Sequence, residues 1–197
     1  MSGESFERHV LSLHGEAKWR EIVSLGASEE NDQGRRLLWV WPRLNDLDWL
    51  KKMLDKYKLD GIASIGCGSG LFEWIIQQHS GSNVIGIETD KSWWHSGYSA
   101  PLFLKNTVFV EAKKEEAELK IPPGYALFFC YFNNGTAFAN YMKNFKGRVV
   151  IAIGPDEGIF RTTDPLPFDK KFEKFGWSIR NVRRFANGKD LAVIYTK

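Results

Sequence analysis

The stretch Ile62-Ala63-Ser64-Ile65-Gly66-Cys67-Gly68-Ser69-Gly70-Leu71-Phe72-Glu73 constrains this chain more than any other. A short apolar strand runs into three glycines at alternate positions, and an apolar helix over Leu71 to Gln78 follows. Glycine permits positive φ in a tight turn and, lacking a side chain, lets a ligand approach the backbone closely. Amides at the start of the helix attract a ligand's polar end. A strand, a glycine loop and a helix are the opening of a βαβ unit, which requires parallel strands further along.

The remaining sequence supplies them. Asn83 to Ile87, Thr107 to Val110, Tyr125 to Tyr131 and Arg148 to Ile153 read as strands, the first ending in Glu88. A segment rich in Trp and Tyr lies between the first two, and Thr136 to Phe145 reads as a helix. Glu111 to Lys120 is expected as a solvated loop or helix, and Pro122-Pro123-Gly124 as a turn. Upstream, the apolar run Leu37 to Trp41 stops at Pro42. A helix follows with Leu47, Leu50, Met53, Leu54 and Tyr57 at helical spacing, Asn45 as its cap, Asp46 and Asp48 in its first turn, and Gly61 at its close. Near the end, a helix over about Phe168 to Phe175 precedes the runs Trp177 to Phe185 and Leu191 to Tyr195. Asn187-Gly188 between those runs is a strong hairpin signal.

The expected fold is therefore α/β: a three-layer, doubly wound, mostly parallel seven-stranded sheet with a C-terminal antiparallel hairpin. Residues 1–34 are polar and read as an extension, with one helix near Glu16 to Leu25 and a turn-rich stretch through Asn31, Asp32 and Gly34. Residues 35–197 read as the single domain.

Spacing selects the ligand. A dinucleotide loop takes the form G-x-G-x-x-G, with its third glycine inside the helix. Here the form is G-x-G-x-G, and Glu88 stands at the end of the second strand, eighteen residues past Gly70. An acid at that place accepts hydrogen bonds from ribose hydroxyls. Asp90, beyond the strand, is the weaker candidate.

This arrangement resembles motif I of the class I S-adenosyl-L-methionine-dependent methyltransferases, in which the glycine loop wraps the amino-acid part of the cofactor. The resemblance implies a cofactor site of Gly66, Cys67, Gly68, Ser69, Gly70, Glu88 and Thr89. Trp93 or Trp94 is expected either as the wall beside the adenine or as core. Glu73 either reaches the ligand's ammonium or is a surface residue.

Three further segments are similar to a little-characterised family of predicted methyltransferases of bacteria, fungi and other eukaryotes. Trp39-Val40-Trp41-Pro42 is similar to a W-x-I-P segment, and Phe145 to Gly154 is similar to Y-x-G-x-x-V-I-Y-V-G-E. Ala126 to Asn134 stands where that family has an apolar strand ending in W-P-P-Y. Here Asn133 and Asn134 replace the two prolines, after Tyr131 and Phe132. Asparagine still offers an acceptor, but proline's stiffness is gone. The candidates for catalysis are Asn133, Tyr131 and His95, with Asn134 beside them; His95 would serve as a base or is an ordinary surface residue.

The implied activity is methyl transfer to a small-molecule or protein acceptor. A cofactor-binding domain that turns nothing over is the alternative, and an NAD-dependent oxidoreductase fits the glycine spacing less well. No G-x-S-x-G elbow, Walker lysine or H-E-x-x-H pair is present, and no metal is expected. From Arg161 to Lys197 nine Lys or Arg face four Asp or Glu, read either as the solvated side of the terminal elements or as a basic face for an acidic substrate or nucleic acid; with Asn133 and Asn134 in place of the prolines, nucleic-acid methylation is not supported. Cys67 and Cys130 sit in apolar runs and are expected as free thiols. Met1 to His14 holds no continuous apolar segment, and no run approaches the roughly 18 apolar residues of a membrane span. The expected location is the cytoplasm.

Overall fold

The computed structural model describes residues 3–26, 34–110, 121–156 and 163–197. The expected turn at Asn31 and Asp32 and the charged run Glu111 to Lys120 lie outside them. Seven strands form one sheet: β1 (Gly61–Ile65), β2 (Asn83–Glu88), β3 (Thr107–Phe109), β4 (Tyr125–Cys130), β5 (Val149–Pro155), β6 (Ser178–Phe185) and β7 (Asp190–Thr196). Their spatial order is β3-β2-β1-β4-β5-β7-β6. The first five are mutually parallel, and β7 runs antiparallel between β5 and β6. The expected sheet and its C-terminal hairpin are present.

The helices are α1 (Gly3–Gly15), α2 (Trp19–Leu25), α3 (Leu44–Lys56), α4 (Leu71–Ser80), α5 (Lys91–Trp94), α6 (Gly135–Asn144) and α7 (Lys171–Lys174). Successive strand residues point to opposite faces, so a strand covered on both sides reads as an unbroken apolar run. In β4, Ala126 and Phe128 join the core beneath α1 to α4, while Leu127 and Phe129 join the core beneath α6 and α7. All five residues of β1 and all seven of β5 are buried.

Several boundaries differ from the sequence reading. The stretch read as polar carries α1, whose buried Phe6, Val10 and Leu13 are spaced by four and three. Those side chains share one core with Leu47 and Phe72. Helix α3 begins at Leu44, so Asn45 falls inside the helix and is not its cap. The extended Arg43 holds the cap position, and its amide donates to Asp46 Oδ2 at 3.0 Å. Gly61 opens β1 and does not close α3, which ends at Lys56. Strand β4 stops before Tyr131, whose φ of 52° turns the chain out of the sheet. The hairpin connection is a four-residue stretch over 186–189, with Asn187-Gly188 inside a 3₁₀ turn. The expected helix over Phe168 to Phe175 is a single turn, α7.

No helix among the described residues is long and apolar enough to cross a membrane.

Candidate functional site

The glycine loop leaves β1 at Ile65, and the amides of Gly66 and Cys67 donate to Ile87 O at 2.8 and 3.3 Å, tying the loop to β2. Gly68 has φ +60° and Gly70 has φ +72°. These two glycines serve different ends. A Cβ at Gly70 would lie 2.6 Å from Leu104 Cβ, so that glycine lets the loop pack on the segment before β3. A Cβ at Gly68 would meet only Trp94 Cη2, at 3.9 Å, so there the backbone is left open for a ligand. Ser69 holds the loop from the other side, donating to Leu37 O at 3.0 Å and accepting from the Leu71 amide at 3.3 Å.

Two clefts meet at this loop and share Gly66 and Tyr131. The larger, about 310 Å³, is lined by Glu88, Thr89, Val110, Phe132, Asn133 and Asn134 among others. The smaller, about 130 Å³, is lined by Cys67, Gly68, Ser69, Glu73, Trp94 and Arg36 among others. The structure thus brings together Gly66, Cys67, Gly68, Ser69, Glu73, Glu88, Thr89, Tyr131 and Asn133 around two adjoining clefts.

Glu73 is not a surface residue. It is 3% exposed and accepts a 2.7 Å hydrogen bond from Ser64 Oγ on β1. Burial pushes its carboxyl up to about 7, against the pull of the Ser64 bond. Burial likewise raises Glu88, opposed by the Thr89 amide at 3.3 Å and by the Trp94 side chain. Both acids therefore hold charge at some cost and gain from a ligand that donates hydrogen bonds or brings positive charge. Burial also raises the thiols of Cys67 and Cys130, which are unpaired with each other and held in the protonated form. Among the described residues no group of three His, Cys, Asp or Glu is placed to hold a metal.

Other expected residues fall elsewhere. Trp93 is 49% exposed and lines neither cleft, whereas Trp94 lines the smaller one. His95 is exposed, lines neither cleft, and its Nδ1 lies 2.8 Å from Lys91 O. Asp90 caps α5 through the Trp93 amide at 3.0 Å and the Ser92 hydroxyl at 2.6 Å. Asn134 caps α6, accepting from the Ala137 amide at 3.0 Å, while Asn133 stays exposed on the larger cleft and bridges Asp164 through its backbone.

Four residues escaped the sequence reading as site residues: Arg36, Trp39, Ser64 and Asp190. Arg36 and Trp39 line the smaller cleft from the segment before α3. Asp190, 3% exposed at the start of β7, accepts a hydrogen bond from Tyr131 Oη. Ser64 adjoins the loop on β1, but nothing in local spacing marks Arg36, Trp39 or Asp190, which strand order and long-range packing carry to the glycine loop.

No protein-family model matches the chain, and no curated protein matches it in sequence. Solved structures resemble it in fold. A candidate O-methyltransferase of Nostoc punctiforme aligns over 78% of this chain and 56% of its own, with 12% identity and a TM-score of 0.51. A mutant form of MtNAS aligns over 96% of this chain and 76% of its own, with 14% identity and a TM-score of 0.54. A SAM-dependent methyltransferase of Aquifex aeolicus aligns over 88% and 97%, with 14% identity and a TM-score of 0.49. With the order β3-β2-β1-β4-β5-β7-β6 and its one reversed strand, the chain has the seven-stranded fold of the class I methyltransferases.

Proposed function

We propose that this protein binds S-adenosyl-L-methionine at the glycine loop and transfers its methyl group to a small-molecule or protein acceptor. The observation that carries this reading is the pair of clefts meeting at Gly66, each with its own acid. The larger offers Glu88 to the ribose hydroxyls and apolar walls from Val110 and Phe132 to the base. The smaller offers both signs of charge, Glu73 for an ammonium and Arg36 for a carboxylate, which suits an amino-acid end. In the smaller cleft the bare backbone at Gly68 leaves space that a Cβ would take.

The bound cofactor would supply an activated methyl on a sulfonium. The chain's own residues orient the two reactants and exclude water, and such positioning supplies on the order of 7–11 kcal/mol at best. Asn133 is exposed on the cleft beyond β4, and its side-chain oxygen would accept a hydrogen bond from the acceptor.

Incubation with methyl-labelled S-adenosylmethionine and a fractionated cell extract tests this. Label is expected in an acceptor fraction with wild-type protein and not with Gly68→Val. Failure of both S-adenosylmethionine and S-adenosylhomocysteine to bind below millimolar concentration would overturn the reading.

A further inference from the structure

All five residues of β1 are buried, yet one of them, Ser64, carries a hydroxyl. Ile62 joins the core beneath α1 to α4, while Ala63 and Ile65 join the opposite core, so strand alternation turns Ser64 toward α4. A hydroxyl buried there needs a partner, and Glu73 in the first turn of α4 supplies Oε1 at 2.7 Å. Among the described residues no other side chain donates to Glu73. A carboxylate can accept about four hydrogen bonds, so this one is left short of donors on the wall of the smaller cleft.

The surrounding groups do not neutralise this acid. Glu88 on β2 adds repulsion, and burial holds the thiols of Cys67 in the loop and Cys130 on β4 in their uncharged form. Arg36 lines the same cleft but is engaged by Glu7, at 3.6 Å, and by Tyr98 O, at 2.9 Å. What would satisfy Glu73 is a cation that donates hydrogen bonds and enters through the cleft.

We propose that Ser64 is a positioning residue for cofactor recognition: by holding one oxygen of Glu73 it keeps the carboxylate at the cleft, and the site thereby selects adenosyl ligands that carry an ammonium over those that lack one. This rests on the cofactor reading above and deepens it. Burial keeps Glu73 mostly protonated below about pH 7 until such a ligand arrives. The ammonium requires the carboxylate form, so binding at lower pH sends the proton of Glu73 to solvent. Affinity for an ammonium-bearing ligand therefore rises with pH through that value. The Ser64 hydroxyl favours the carboxylate and moves this rise to lower pH, and an apolar residue in its place moves it higher.

Calorimetric titrations between pH 6 and pH 8 with S-adenosylhomocysteine and with 4-(adenosylthio)butanoic acid, the same molecule without its amine, test this. Contacts to the ribose and carboxylate, including those offered by Glu88 and Arg36, are common to both ligands and cancel in the ratio of affinities. Wild-type protein is expected to favour S-adenosylhomocysteine at least about tenfold at pH 8, the worth of one hydrogen bond to a charged group. About tenfold of that preference should be lost at pH 6. Glu73→Gln should bring the ratio to about one at both pH values. Ser64→Ala should move the loss of preference upward by about one pH unit, the worth of one hydrogen bond. Ser64→Cys, similar in size but a weaker donor, should move it the same way by less, and decides where the alanine variant does not fold. Equal affinities in wild type at pH 8, a preference indifferent to pH, or Ser64 variants that weaken both ligands alike with an unmoved pH profile would each overturn the proposal. If neither adenosyl ligand binds, the cofactor reading fails; if both bind equally, only this assignment fails.

Discussion

Ser64 on β1 donates a 2.7 Å hydrogen bond to the carboxylate of Glu73 on α4, closing the glycine loop with an acid that solvent barely reaches. Strand, loop and helix are thereby joined at the point where the proposed ligand's ammonium would sit. An acid in this setting is held partly protonated near neutral pH, because burial disfavours its charged form more than the Ser64 bond favours it.

The consequence for stability has a definite sign. With its value raised from 4.5 to about 7, the native protein binds more protons than the unfolded chain between those values. Stability therefore falls as pH rises through that window and stays lower above it. Glu73→Gln, which keeps a partner for Ser64 and carries no charge, should stabilise the ligand-free protein at pH 8 by on the order of 3 kcal/mol. The gain should fade toward pH 5. Urea unfolding at the two pH values measures it; a pH-independent difference would contradict the assignment of charge to Glu73.

Gly68 and Gly70 share a positive φ and differ in surroundings, so alanine should affect them differently. At Gly68 only the conformational cost of about 1–2 kcal/mol is expected. At Gly70 the new Cβ would also overlap Leu104, raising the cost to about 3 kcal/mol or more. Denaturation midpoints of the two variants should rank in that order, with Gly68→Ala instead losing more cofactor affinity.

The adjacent asparagines also divide. Asn134→Ala removes the cap of α6 and should cost about 1 kcal/mol of stability, with little effect on turnover. Asn133→Ala should leave stability within about 0.5 kcal/mol and lower turnover more than cofactor affinity. Chemical denaturation and methyl-transfer assays on both variants separate the roles, and reversed phenotypes would remove Asn133 from the acceptor side.

Asp46 ties α3 to the hairpin. It is 3% exposed and accepts from the Arg43 amide at 3.0 Å, the Ala186 amide at 3.2 Å and Arg183 Nε at 3.3 Å. Asp46→Ala leaves those donors without their acceptor and should destabilise the protein by about 2–4 kcal/mol. Thermal unfolding that shifts by less than a degree would refute this.

Much of this was legible in the sequence because local pattern and global fold agree. Continuous apolar runs such as Ala126 to Phe129 announced strands covered on both faces, and Asn187-Gly188 announced the hairpin. Gly66 to Gly70 and Glu88 announced their places because a strand end and a helix start lie next to each other in sequence. Helix α1 was missed because its three buried residues are spread among charged and polar ones. Asp190, Arg36 and Trp39 were illegible as site residues for a different reason. They reach the glycine loop through strand order and long-range packing, which no window of local sequence contains. Of the two tryptophans the sequence offered, Trp94 lines the smaller cleft and Trp93, one helical step earlier, is exposed.

The most direct test of the central claim is calorimetric titration of wild-type protein and Glu88→Ala with S-adenosylhomocysteine, with NAD as comparison ligand. The account predicts sub-millimolar binding of S-adenosylhomocysteine to wild type, affinity at least about tenfold weaker in Glu88→Ala through loss of hydrogen bonds to a charged group, and no comparable binding of NAD. Equal affinity in the two proteins, or tighter binding of NAD, would contradict it.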